Sequence, residues 1–348
     1  MNQQIPTTVL ESLNLGLRKA LQEDRNVILL GEDILDPYGG SFKVTRGLST
    51  LFPDQVWTTP ISEAGITGIA GGMALRGMRP VVEIMFGDFT TLIADQVINH
   101  ITKFGAMYYP QQDPVSVVIR TPMGGRRGYG PTHSQSLEKL FLGVPGLTVI
   151  APFHFKGETH PGTPGELLFK TITTLNSPAL FVENKLQYLL KLLSPDDMIE
   201  YENSIVHTSA APGYPFYRLT LHSAPAAQLT LASYGYMAHL AMNAMKRLAY
   251  DHEVFCDLLV PTCLAPFHLE PLFESVRHTG RLLTIEEGTL PLGWGAEVIA
   301  RTSEALGGTL KQSARLAASG IVIPAAPDLE VASLPDTEDI IKKVLEMV

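Results

Sequence analysis

The sequence predicts an α/β protein of two doubly wound domains, each a mostly parallel sheet with helices on both faces. Three observations carry this. Short apolar runs alternate with stretches of helical periodicity along most of the chain. The runs are continuous, as in VILLG at 27–31, the pattern of a strand buried on both faces. The 348 residues also exceed the ~250 that a single core usually supports.

The first element places Val9, Leu10, Leu13, Leu17, Ala20 and Leu21 at helical spacing, with Thr8 as its cap. Strand VILLG follows, then a small-residue helix over 63–77, strand PVVEIMF and a helix over 90–106. Strand VSVVIRTP, a helix over 135–142 and strands LTVIAPF and PALFVEN complete a first domain, 1–195. From 196 to 225 proline, glycine and serine interrupt every apolar run, which reads as a linker. Alternation resumes in a second domain, 226–348. Its elements are LTLASYG, helix MAHLAMNAMKRLA, strand EVFCDLLV, helix LEPLFESVRHTG, strand RLLTIEEG, helix GWGAEVIARTSEAL, strand GIVI at 320–323 and helix DTEDIIKKVLEMV.

With 26 basic against 35 acidic residues the net charge is −9, so the basic footprint that a phosphate backbone requires is missing and nucleic acid is not an expected partner. Cys256 and Cys263 lack metal or redox spacing and read as buried thiols. The N-terminus has no basic segment followed by an apolar run, and no stretch approaches membrane-spanning length; a cytoplasmic protein is expected.

Within TPISEAGITGIAGGMALRGMRPVVEIMFGDF at 59–89, Glu63 opens a helix in which Gly65, Gly68, Ala70, Gly71, Gly72 and Ala74 allow close approach of a backbone or a flat ligand. The residues alone leave two readings, since a first-turn glutamate also complements the helix dipole. Glu32 and Asp33 follow a strand's C-terminal end, where open α/β sheets place ligands, although a capping or turn role fits equally. His133 stands among Gly124, Gly125, Gly128 and Gly130, in the kind of loop that brings function to a scaffold or that a histidine orders. Arg126 and Arg127 in that loop, and Arg120 before it, suit loop ordering, a partner contact or an anionic substrate.

ISEAGITGIAGGMALRGMRPVVE closely resembles the beta subunits of pyruvate and branched-chain 2-oxo acid dehydrogenases. So do LLGEDI…GGSFKVTRGL, DQVINH and RTPMGGRRGYGPTHSQSLEKLFLGVPGLTVIAP, with TGRLLTIEEG…GWGAEV and IPAAPDLE in the second domain. These segments lie in the family's order over nearly the whole chain. The resemblance makes 1–195 a thiamine pyrimidine-binding domain and 226–348 a domain like the C-terminal domain of transketolase. It implies that Glu63 hydrogen-bonds N1′ of the thiamine aminopyrimidine, where a held proton favours the tautomer that activates the thiazolium ring. It implies that Phe89 stacks on the aminopyrimidine, the alternative being a core phenylalanine. It further implies that His133 faces the substrate and incoming lipoyl group. From the residues themselves, Glu32 could exchange protons with Glu63, a capping or turn role fitting equally.

The family holds the cofactor diphosphate through Mg²⁺ on a Gly-Asp-Gly segment, and no such segment occurs here. No metal ligands are therefore expected on this chain. An alpha-type subunit is expected to hold the Mg²⁺ and the diphosphate, in an alpha-two, beta-two tetramer with thiamine diphosphate across the interface. The stretch HFKGETHPGTPGELLFKTITTLN departs from the family: it reads as a longer connection, and Thr174 and Leu175 stand where an aspartate is usual, so no structural potassium is expected. His154 and His160 there read as exposed loop residues. The activity implied is oxidative decarboxylation of a 2-oxo acid with acyl transfer to a lipoyl acyltransferase. Acetoin cleavage, a split transketolase-like ketol transfer, and a non-catalytic assembly scaffold are the alternatives.

Overall fold

A computed structural model describes residues 5–108, 115–156, 162–206 and 213–348, with 108 and 203–206 described by backbone alone. The chain divides into two compact units, Met1–Met123 with Leu140–Leu192, and Gly124–Lys139 with Leu193–Val348.

In the first unit α1 (Val9–Glu23) opens with a reciprocal box: the Thr8 hydroxyl accepts the Glu11 amide and the Glu11 carboxylate accepts the Thr8 amide, both at 3.3 Å. Then come β1 (Val27–Gly31), α2 (Leu48–Leu51), β2 (Val56–Thr58), α3 (Glu63–Leu75), β3 (Arg79–Glu83), α4 (Thr90–Asp95), α5 (Thr102–Tyr108), β4 (Val118–Met123), β5 (Thr148–Ile150), α6 (Pro164–Thr174) and β6 (Ala179–Asn184). These strands lie in the order β5-β6-β4-β3-β1-β2, all neighbours parallel. All five residues of β1 are buried, which is why its run is apolar throughout. The helix expected over 90–106 runs from α4 to α5 through a wider turn at Gln96–Ile101, where the Thr102 hydroxyl donates to the Val97 carbonyl at 3.0 Å.

The stretch expected as a connection after residue 153 contains α6. Thr163 caps it, accepting the Glu166 amide at 3.2 Å, and Pro164 sits in its first turn. The helix packs on α1 through two glycines. The Gly165 amide donates to the Ser12 hydroxyl at 2.8 Å, and a Cβ on Gly165 would stand 1.7 Å from the Ser12 carbonyl oxygen. Arg79 closes the other end, donating to the carbonyls of Ile172 at 3.0 Å and Leu175 at 3.2 Å, where a cation complements the helix dipole. His154, expected on the surface, is buried edge-on to Phe153 at 4.5 Å between centroids; a segment that packs helix on helix leaves its preceding loop little solvent. His160 lies outside the described residues.

The second unit runs β7 (Tyr201–Val206), β8 (Phe216–Leu221), β9 (Leu229–Ser233), α7 (Gly235–His252), β10 (Cys256–Pro261), β11 (Cys263–Ala265), α8 (Glu270–Thr279), β12 (Arg281–Thr289), α9 (Trp294–Leu306), β13 (Gln312–Ala318), α10 (Pro327–Ser333) and α11 (Thr337–Leu345). Six strands are ordered β13-β12-β9-β10-β8-β7, parallel from β13 to β10 and antiparallel at β8 and β7. Within the linker expected over 196–225, Tyr201–Val206 and Phe216–Leu221 are two antiparallel strands of this sheet. The expected strand at 320–323 is loop, with Ile323 packed beside Ala318 and Leu334. The edge strand is instead Gln312–Ala318, exposed or half-buried except at its last residue, as suits pairing on one side only. The helix expected over 135–142 is a single turn, Glu138–Leu140.

Candidate active site

Glu63 is the first residue of α3 and is buried at 8 % exposure. Glu32 follows the C-terminal end of β1 at 6 % exposure, and its Oε1 accepts the Ser62 amide at 3.2 Å. The Glu63 charge is near enough to act on Glu32. Burial pushes the Glu32 carboxyl up, the Glu63 charge pushes it further, and the Ser62 amide opposes both.

Phe89 ends a tight turn, Gly87–Phe89, and is half-buried at the start of α4, a helix that packs on α3. Its ring meets Phe86 at 5.8 Å and 73°, and Phe86 meets Phe42 at 5.6 Å and 74°. Edge-to-face packing of this kind fixes ring orientation. The turn is close-set, for a Cβ on Gly87 would lie 2.3 Å from the Met123 side chain.

Arg120, left open between three surface roles, turns inward. It is 1 % exposed in β4 and bridges Glu83 of β3 and Glu183 of β6, with Nε 2.8 Å and Nη2 2.5 Å from Glu183. The Tyr188 hydroxyl donates to Glu183 at 2.6 Å. Burial alone would lower the Arg120 guanidinium, but the Glu183 and Glu83 charges outweigh it and hold the group above its ordinary value. The sequence signal is a charged residue inside each of three otherwise buried strands.

His133 belongs to the second unit, so the structure does not gather it with Glu32, Glu63 and Phe89 in one unit. It is half-buried, its Nδ1 2.8 Å from the Thr132 hydroxyl, and its amide closes a turn onto the Gly130 carbonyl at 3.3 Å. The loop before it bends through left-handed backbone at Gly124, Arg126, Gly128 and Gly130. Arg126 points to its own unit, with Nη1 3.4 Å from Glu287 and a second bond to the Pro335 carbonyl. Arg127 is exposed, 3.4 Å from the Tyr129 hydroxyl.

Beyond this loop a buried acidic group was missed in the sequence. Glu286 accepts the amides of Trp294 at 2.8 Å and Gly295 at 2.9 Å, and Glu138 accepts the Tyr234 hydroxyl. Burial pushes the Glu286 carboxyl from 4.5 up to about 7, against the Gly295 amide. A carboxyl raised in the folded state stabilises the fold fully below the unfolded value and loses that contribution as pH rises through the folded one. At about 1.4 kcal/mol per pKa unit the loss is on the order of 3 kcal/mol. Urea midpoints are therefore expected to fall between pH 4.5 and 7 for the wild type, with a flatter profile for Glu286→Gln; identical profiles would contradict this.

Among the described residues no group of three or more His, Cys, Asp or Glu side chains is arranged to hold a metal ion, and no helix is long and apolar enough to cross a membrane. Residues 6–159 match the transketolase pyrimidine-binding domain and residues 220–340 the transketolase C-terminal domain. The chain is 31% identical to the human pyruvate dehydrogenase E1 component subunit beta, mitochondrial, over 99% of its length and 92% of the relative's. It is 30% identical to the beta-1 subunit of Arabidopsis thaliana over 96% of its length and 87% of the relative's. Among solved structures it resembles a split-gene transketolase described as an inactive beta4 tetramer, with TM-score 0.72 and 18% identity over 98% of both chains. Transketolase from Campylobacter jejuni aligns with TM-score 0.63 and 15% identity over 98% of this chain and 46% of the other. With two matched domains in order and relatives aligned almost end to end, the chain belongs to the transketolase-like, thiamine-diphosphate-dependent family of E1 beta subunits.

Proposed function

We propose that this chain is the beta-type half of a 2-oxo acid decarboxylase that transfers the acyl group to a lipoyl acyltransferase, with an active site completed by an alpha-type subunit. The observation that carries the reading is the buried Glu63 at the head of α3, paired with the raised carboxyl of Glu32. That pair fits the aminopyrimidine of thiamine diphosphate, which needs a carboxyl able to hold a proton at N1′. Thiamine diphosphate, when bound, supplies the electron sink for decarboxylation. Glu63 holds the N1′ proton, Glu32 tunes it, and the ring of Phe89 offers an aromatic face to the pyrimidine. His133 moves a proton at the substrate carbonyl oxygen. The diphosphate and Mg²⁺ belong to the partner, since the sequence has no Gly-Asp-Gly segment.

The reading assigns the two sheets to a pyrimidine-binding domain and a transketolase C-terminal-like domain, and the assembly to an alpha-two, beta-two tetramer. A cytoplasmic location goes with it, although the relatives are described as mitochondrial; cell fractionation separates the two. The test of function is co-expression with an alpha-type chain, then a panel of 2-oxo acids with carbon dioxide release and acylation of a lipoyl domain as readouts. Both signals with one 2-oxo acid are expected. Transfer of a ketol unit to an aldose, or cleavage of acetoin without lipoyl acylation, would move the chain to another reaction, and no thiamine-dependent turnover would leave an assembly scaffold.

A further inference from the structure

The loop that presents His133 bends repeatedly through left-handed backbone. Arg126 has φ +65° and Gly128 φ +68°, and the amides of both face a carboxylate. Amides partly withdrawn from water are better satisfied by an acceptor than left unpaired. A single carboxylate serves both. Glu330, on α10 and 2 % exposed, accepts the Arg126 amide on Oε1 at 2.8 Å and the Gly128 amide on Oε2 at 2.9 Å. Glu287 of β12 accepts the preceding amide, Gly125, at 2.6 Å. The seat is close-fitting: a Cβ on Gly125 would lie 2.6 Å from Leu334 Cδ1 and 3.2 Å from Glu330 Oε1.

We propose that Glu330 is a positioning residue for His133, clamping both sides of the Arg126–Gly128 bend so that the histidine five residues on is presented in one conformation. The proposal rests on the reading of His133 given above. The geometry favours positioning over mere stabilisation for two reasons. Both carboxylate oxygens are engaged by the same bend, so rotation of the side chain would release both amides together. The donors are also backbone groups of the loop, so the bonds fix the path of the chain itself. Charge-assisted bonds of this kind are roughly twice as strong as neutral ones. Glutamine at 330 keeps one acceptor and turns an NH₂ towards the second amide, donor against donor.

The experiment compares the wild-type full chain with Glu330→Gln and Glu330→Asp, alone and in the reconstituted complex. Backbone hydrogen exchange on the chain alone reads the loop without reference to catalysis. Amides 125–128 are expected to exchange at least about tenfold faster in Glu330→Gln, with sheet protection retained. In the complex kcat is expected to fall by up to about 100-fold, the scale of a small misplacement of a reacting group, with thiamine diphosphate affinity unchanged. Added to His133→Ala, Glu330→Gln should lower kcat no further, since a loop without its histidine has nothing left to position. Unchanged exchange at 125–128, or an additive loss in the double variant, overturns the proposal. If the glutamine variant loses sheet protection, Glu330→Asp decides by the same exchange measurement. A wild-type complex with no thiamine-dependent turnover defeats the functional reading, while the exchange result still decides whether Glu330 clamps the loop.

Discussion

Glu63→Gln in the assembled enzyme is expected to lower kcat by about 10²–10⁴-fold, the usual contribution of a positioned proton-handling group. At about 1.4 kcal/mol per decade this is about 3–5 kcal/mol of transition-state stabilisation. Glutamine keeps the size of the side chain and can still hydrogen-bond a ring nitrogen, but it cannot pass a proton. The fold should notice little: a first-turn carboxylate contributes about 0.3–1 kcal/mol through the helix dipole, and removing it also relieves repulsion from Glu32. Steady-state carbon dioxide release alongside a melting curve checks both halves. A large drop in melting temperature would mean that Glu63 is structural.

The second large effect concerns stability. Arg120→Met leaves Glu83 and Glu183 facing each other inside the sheet with no cation, a change expected to destabilise by about 3–5 kcal/mol. Burial already pushes the Glu83 carboxyl up against the pull of Arg120. With the guanidinium gone the folded-state Glu83 carboxyl rises further, so its protonated form favours the fold and its ionised form opposes it. The deficit should therefore be greatest near neutral pH and shrink as pH falls towards the ordinary glutamate range. Urea unfolding at pH 5 and pH 8 measures this, and a deficit independent of pH would point to lost packing instead.

Much of the fold was legible because local rules and burial agree. VILLG is β1 residue for residue, and the Thr8–Glu11 pair marks the start of α1. Glu63 was legible as the opener of a small-residue helix, and Glu32 by its place after a strand. Other features were not, and three show why. The helix α6 hides behind a proline and a glycine that usually signal a loop, although Thr163-Pro164 with Glu166 is also a helix start. Strand β13 carries no apolar run, because an edge strand buries little. The acceptors of the His133 loop, Glu287 and Glu330, lie more than 150 residues from it in sequence, and no local pattern announces such a pairing.

On the proposed reading the thiamine diphosphate site is divided between two chains, with this one supplying Glu63 and the partner the Mg²⁺ and diphosphate. Calorimetric titration of thiamine diphosphate with Mg²⁺ into the isolated chain, the isolated partner and their complex tests it directly. Tight binding is expected for the complex alone, weakened when Glu63→Gln replaces the wild-type chain. Binding to the isolated chain as tight as to the complex would contradict it.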